Sequence, residues 1–296
     1  MTLPSRASLR PLAFGCGLLF FSFLSAFGAA IQFNVPYGAH ANQRLDAHWP
    51  EGPGRFPTAV FIHGGSLQAG DKLDVDYGDV WRPFVEAGIA CIMINYRLAA
   101  DAPWPAQVQD CAAAVAWTRH AVVAHGGDTA RIFVIGHSSG AMLTALLASD
   151  WRWLAAHKLR PNDLAGVVPM GSIMWDEDFD ASTANASAGQ LKASLPNDSP
   201  FRMFGTLETY RDAWPMKHLS AAMPPFLFLV AETEQESPPI LRHARTFCEA
   251  ARKLGVPAEW RVLPNRNHAT AIRMLSDPGD PTFALIRDFI FKRNPS

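Results

Sequence analysis

The sequence predicts an α/β fold: a doubly wound, mostly parallel sheet with helices on both faces and a lid-like insertion. Three observations carry the prediction. Apolar runs of strand length recur along the chain, helical patterns separate them, and one long polar stretch interrupts the alternation. A run that is apolar at every position suits a strand buried on both faces, as in parallel sheets. Strands alternating with helices build a layered α/β domain, and right-handed crossovers put helices on both faces.

The elements follow in order. Arg6 and Arg10 precede an apolar run over 11–27, and the small residues Ala26, Gly28, Ala29 and Ala30 close it. That order is the one of a secretory signal, with cleavage expected near Ala30 and export to the periplasm or the medium. An uncleaved N-terminal membrane anchor is the competing reading, because the run is nearly long enough to span a bilayer. Gly15, Ser22 and Ser25 break the run and favour the signal. The folded domain is then 31–296. Arg44–Trp49 alternates Leu45, Ala47 and Trp49 with polar residues, the pattern of an edge strand open to water on one side. Buried strands are expected at Thr58–Ile62, 89–95, 131–135, Gly166–Met170, 226–230 and 259–263. Helices are expected at Ala106–Ala124, 139–151, 241–253 and 283–292, the third stopped by Gly255. From 172 to 225 the chain is polar but carries Trp175, Phe179, Phe201, Phe204, Tyr210 and Trp214. So long a stretch inside a compact domain is usually functional or holds short helices of its own. It is expected to form a lid over the site; the alternative is a surface excursion anchored by its aromatics.

Composition narrows the function. Hydrophobic residues make up 49% of 296, enough for a large core without disulfide or metal staples. With 26 basic against 27 acidic residues, no long-range field draws the protein to nucleic acid. Membrane contact is expected only through the N-terminal segment. Cys91, Cys111 and Cys248 have no metal-ligand spacing and sit in no turn motif, so they read as buried thiols. No metal or organic cofactor is implied, and nothing specifies an oligomeric state.

Gly136-His137-Ser138-Ser139-Gly140 is the sharpest motif. It matches G-x-S-x-G and falls between a predicted strand and a predicted helix, where a serine nucleophile stands on a strained turn. The helix that follows aims its amides and positive dipole end at a developing oxyanion. Upstream, His63-Gly64-Gly65 ends another buried strand, and its glycines let backbone amides approach the same point. The candidate oxyanion donors are the amides of Gly65, Ser66 and Ser139, each such donor being worth about 3–4 kcal/mol in the transition state. In the order Ser, acid, His, the base comes late. His268 qualifies among ten histidines because it lies in a loop just after the last strand, whereas His157, His218 and His243 fall in helical or lid contexts. The acid should follow strand 226–230, where Glu232, Glu234 and Glu236 all qualify. Its task is to fix the imidazole tautomer and support the imidazolium.

Together these motifs resemble the esterase/lipase branch of the α/β-hydrolase fold family. The likeness is to hormone-sensitive-lipase-like and feruloyl-esterase-like carboxylesterases, with kynurenine formamidases nearby, and it runs from about Val35 to the C-terminus. Asn95-Tyr96-Arg97-Leu98 resembles the family's N-Y-R-L, and Pro105 with Asp110 its P-x-x-x-x-D. Gly127-Asp128 resembles the end of its G-G-D, and Gly70-Asp71-Lys72 its G-D-K. Ser66 and Leu67 stand where the family often has a third glycine or a Trp, which bears on the acyl pocket. Glu236-Ser237-Pro238 resembles the acid-Ser-Pro element of the formamidases, which selects Glu236; Glu234 is the rival through the lipase-like A-E-x-D. The resemblance implies a serine hydrolase that cleaves a small-molecule carboxylic ester through an acyl-enzyme, with Ser138, Glu236 and His268 as triad. An amide-directed hydrolase of arylformamidase or peptidase type shares the same triad. A non-catalytic binding protein of the same fold would usually lack the nucleophile or the base, and both are present.

Overall fold

The computed structural model describes residues 30–52, 54–174, 203–235 and 239–292. Residues 1–29 of the expected N-terminal signal therefore lie outside the described residues, as do 175–202 of the expected lid and Glu236. Eight strands form one sheet: β1 (Ala30–Pro36), β2 (Arg44–Trp49), β3 (Thr58–Ile62), β4 (Ala90–Ile94), β5 (Ile132–His137), β6 (Gly166–Met170), β7 (Phe226–Ala231) and β8 (Ala258–Leu263). Their order is β1-β2-β4-β3-β5-β6-β7-β8. The pairs β1–β2 and β2–β4 are antiparallel and the remaining pairs parallel.

The continuous apolar runs have the expected cause. Along β3, Val60 and Ile62 enter one core with Val115 and Leu143, while Ala59 and Phe61 enter another with Phe84 and Ile286. The first core is covered by α2 (Ala106–Ala124), α3 (Ser139–Ser149) and α6 (Ile240–Lys253). The second is covered by α1 (Trp81–Glu86) and α8 (Pro281–Lys292). Three short helices complete the described set: α4 (Trp151–Ala155), α5 (Leu207–Asp212) and α7 (His268–Arg273). Among the described residues no helix is long and apolar enough to cross a membrane.

Three expectations need correction. Segment Arg44–Trp49 is not an edge strand, because β1, which the apolar-run pattern did not reveal, pairs along its outer side. Its polar residues are buried with partners: Asp46 meets the Lys72 ammonium at 3.0 Å, and the His48 ring stacks on Trp81 at 4.1 Å. The helix expected over 139–151 ends at Ser149. Asp150 turns to an extended backbone (φ −99°, ψ 104°) and its carboxylate accepts the Arg152 amide, which starts α4. His268 lies in a helix rather than a loop. It is the first residue of α7, capped by the Asn267 side chain, which accepts the Thr270 amide at 2.9 Å.

Candidate active site

The strands β3 and β5 pair level, from Thr58 opposite Ile132 to Ile62 opposite Gly136. The two glycine-bearing loops therefore leave the sheet side by side at its carboxyl edge. After β5 the chain turns sharply: Ser138 has φ 56° and ψ −128°, a conformation that L-residues with a side chain rarely adopt. Its amide donates to the Met170 carbonyl at the end of β6, at 2.9 Å. The motif glycines are steric necessities. A Cβ at Gly136 would lie 2.2 Å from the Gly140 carbonyl oxygen, and one at Gly140 would lie 2.3 Å from that of Ile62. Any larger residue would prise the turn away from β3.

The loop after β3 comes as close. A Cβ at Gly64 would lie 2.8 Å from the Ser138 Cβ. Gly65, Ser66 and Leu67 then all take positive φ, 114°, 55° and 63°, so the loop curls back on itself. The Gly64 amide donates to the Tyr77 hydroxyl (3.1 Å) and the Leu67 amide to the Ser139 hydroxyl (3.3 Å). Among the described residues no hydrogen bond takes the amides of Gly65 and Ser66. The Ser139 amide, at the first position of α3, has no intrahelical acceptor either. The three amides named from the sequence are thus without an acceptor among the described residues. The Ser139 hydroxyl anchors the loop. Beneath the loop the buried His63 ring stacks on Tyr96 at 4.5 Å, and the Tyr96 hydroxyl donates to the His63 carbonyl (3.1 Å). Burial holds the His63 pKa below its ordinary value.

The His268 ring meets a carboxylate at Nδ1, and it belongs to Glu234. Glu234 closes a single 3₁₀ turn directly after β7, and its second oxygen accepts the Ala231 amide at 3.0 Å. Its side chain is 4% exposed, against 48% for His268, so the carboxylate is buried and the imidazole faces outward. Glu232 points elsewhere and accepts the Asn265 amide at 2.7 Å. Glu236, selected from the sequence, lies outside the described residues. Among the described residues no hydrogen bond joins the Ser138 hydroxyl to the His268 ring; such bonds are often long before substrate binds.

Two further residues belong to this corner and were not singled out from the sequence. Gly171 follows β6 at φ 65°, and a Cβ there would stand 3.1–3.2 Å from both Glu234 oxygens and 3.2 Å from His268 Nδ1. A side chain there would crowd the pair and strain the backbone, so glycine suits the position. His137 occupies the first variable position of the serine motif. Its buried ring lies 4.5 Å from the His268 ring, and its Nε2 bonds the His268 carbonyl oxygen at 3.0 Å.

A cavity of about 330 Å³ opens on this corner, lined by Ser138 and Ser139 together with Met142, Ile173, Phe204 and Trp214. Phe204 and Trp214 come from the stretch expected to be a lid. The described part of that stretch is also pinned to the body. The Trp104 amide donates to the Met203 carbonyl (3.0 Å), and Arg152 bridges Asp150 and Asp212. The cysteines play no part in the site: Cys91, Cys111 and Cys248 are free and buried, and burial pushes the Cys248 thiol up to about 12.

Strand order, parallel core and the serine turn at the end of β5 define an α/β-hydrolase. Residues 45–240 match the family model BD-FAE, and the chain belongs to that family. It is 28% identical over 250 residues to Esterase LipQ of Mycobacterium tuberculosis, a match covering 81% of this chain and 58% of that protein. Esterase LipC of the same organism is 30% identical over 255 residues, covering 79% and 58%. The chain thus spans little more than half the length of these relatives. Among solved structures, a thermophilic esterase of Thermogutta terrifontis superposes with a TM-score of 0.67 at 20% identity, covering 90% of this chain and 93% of that one. A truncated carbohydrate esterase from gut microbiota superposes with a TM-score of 0.68 at 18% identity, covering 91% and 98%. At these identities the likeness is one of fold.

Proposed function

We propose that the protein is a serine hydrolase that cleaves carboxylic esters through an acyl-enzyme, with Ser138 as nucleophile, His268 as base and Glu234 as acid. The observation that carries the reading is the juxtaposition of the strained Ser138 turn with the Glu234–His268 pair at one sheet edge. A carboxylate at Nδ1 fixes the proton there and leaves the Nε2 lone pair free to accept. The Ser138 oxygen attacks the acyl carbon as its proton passes to Nε2. The new oxyanion is received by the open amides of Gly65, Ser66 and Ser139, whose dipoles are already in place. The carbon–oxygen bond to the alcohol then breaks, and the alcohol leaves with the proton from His268. Water repeats the sequence on the acyl-enzyme and frees the acid. Buried Glu234 supports the imidazolium in both halves. The apolar wall of Met142, Ile173, Phe204 and Trp214 suits an apolar acyl or alcohol group, with Phe204 and Trp214 supplied by the described part of the expected lid.

The test is labelling with a fluorophosphonate probe alongside hydrolysis of nitrophenyl acetate and N-formylkynurenine. Labelling is expected in the wild type and absent in Ser138→Ala, with the ester preferred over the formamide. Labelling that persists in Ser138→Ala would sink the nucleophile assignment, and turnover of the formamide alone would move the substrate class to amides.

A further inference from the structure

The Tyr77 hydroxyl stands between the two halves of the site. It accepts the Gly64 amide at 3.1 Å and lies 3.0 Å from His137 Nδ1. The other nitrogen of that ring lies 3.0 Å from the His268 carbonyl oxygen. The direction of every proton in this chain is forced. A carbonyl oxygen only accepts, so His137 Nε2 carries the hydrogen. The ring is buried and its pKa is lowered to about 4, by burial first and the neighbouring His268 second, so it is neutral and Nδ1 is bare. Tyr77 must then donate to Nδ1, which leaves its oxygen to accept from Gly64. The ends of the chain are functional positions. Gly64 precedes the open amides of Gly65 and Ser66, His137 precedes Ser138, and the carbonyl belongs to His268 itself.

We propose that Tyr77 and His137 are positioning residues that hold the oxyanion loop, the serine turn and the base-bearing helix in mutual register. The inference rests on the hydrolase reading above and adds what keeps its parts aligned. Neither side chain is hydrogen-bonded to the Ser138 hydroxyl or to the His268 ring, although the His137 ring packs against the latter. The loops they join leave the sheet separately, after β3, β5 and β8, and no strand pairing fixes the third against the first. A second strut runs in parallel: Arg273 of α7 pairs with Asp76, next to Tyr77, at 2.6 Å. Misplacement of a reacting group by about 1 Å costs on the order of a hundredfold in rate, so a bridge of this kind acts on kcat rather than on substrate binding.

The experiment compares the full chain with Tyr77→Phe, His137→Gln and the double variant. It reads kcat and KM for nitrophenyl acetate, the fluorophosphonate labelling rate and the melting midpoint. Tyr77→Phe keeps the ring and removes only the hydroxyl. It is expected to lower kcat about ten- to hundredfold, with KM little changed and labelling slowed in parallel. The double variant should be little worse than the poorer single one, because both cut one chain. Tyr77→Phe with wild-type kcat and labelling would overturn the bridge, as would losses that multiply in the double variant. If His137→Gln does not fold, Tyr77→Phe still decides through the split between kcat and KM: a rise in KM with kcat unchanged overturns the proposal. A wild type that neither turns over nor labels removes the hydrolase reading itself, and an active wild type with an unaffected Tyr77→Phe removes the bridge alone.

Discussion

Both oxygens of Glu234 are occupied, one by the His268 ring and the other by the Ala231 amide. Gln at this position would keep the shape, lose the charge and offer an N–H toward Nδ1. The ring would then carry its proton on the wrong nitrogen. Glu234→Gln is expected to lower kcat on the order of 10³–10⁴ fold while the protein stays folded, as steady-state kinetics beside a melting curve will show. Glu236→Gln should change kcat little; a loss that follows Glu236 instead transfers the acid's role to that residue. Gly171 sharpens the same point. The pair is compact because the residue that follows the neighbouring strand has no Cβ, so the site depends on an absence as much as on a functional group.

At the scale of elements, strand β2 shows how a polar pattern becomes interior. Lys72 is 2% exposed and Asp46 1%. The ammonium also donates to Asn34 on β1 (3.0 Å), while the Lys72 amide donates to Asn95 just past β4 (2.6 Å). The buried ion pair thus ties β1 to β2 at the antiparallel end of the sheet, and the Lys72 backbone links them to the end of β4. Removing one partner leaves a buried charge uncompensated, at a cost of about 3–5 kcal/mol, whereas replacing both with apolar groups is often neutral. Lys72→Met is therefore expected to lose about that much in urea unfolding, and Lys72→Met with Asp46→Leu to regain most of it. A single variant as stable as the wild type would show that the pair contributes nothing to holding the strands together.

For the whole molecule, pH is the variable that reaches several buried groups at once. Burial lowers the pKa of His137 to about 4 from 6.5, and that of His48 by a similar amount. Each binds a proton in the unfolded chain before it can do so in the fold. Stability from these groups is fully present above pH 6.5 and is lost as the pH falls toward 4. For the deeply buried His137 the loss amounts to about 3 kcal/mol, because each tenfold change in proton affinity is worth about 1.4 kcal/mol. His48 acts in the same direction. Denaturation midpoints are expected to fall steadily between pH 6.5 and 4.5; a flat profile over that window would contradict the burial of both rings.

The amino-acid sequence by itself determined the parallel core and the serine turn, because each leaves a local mark. A strand buried on both faces must be apolar throughout, and a turn as tight as the one at Ser138 must be flanked by Gly136 and Gly140. Spacing could not separate Glu232, Glu234 and Glu236, since a carboxylate's role depends on which one a short 3₁₀ turn swings toward His268. Nor could pattern reveal that Asp46 and His48 are interior, because their partners come from residues 72 and 81. His137 fills a variable position of its motif, and Tyr77 stands in none of the motifs named from the sequence. Their roles arise only where three loops converge, for a hydrogen bond between residues 60 or 131 positions apart has no signature in either neighbourhood. Local sterics are written along the chain; the pairing of distant polar groups is decided when the chain closes on itself.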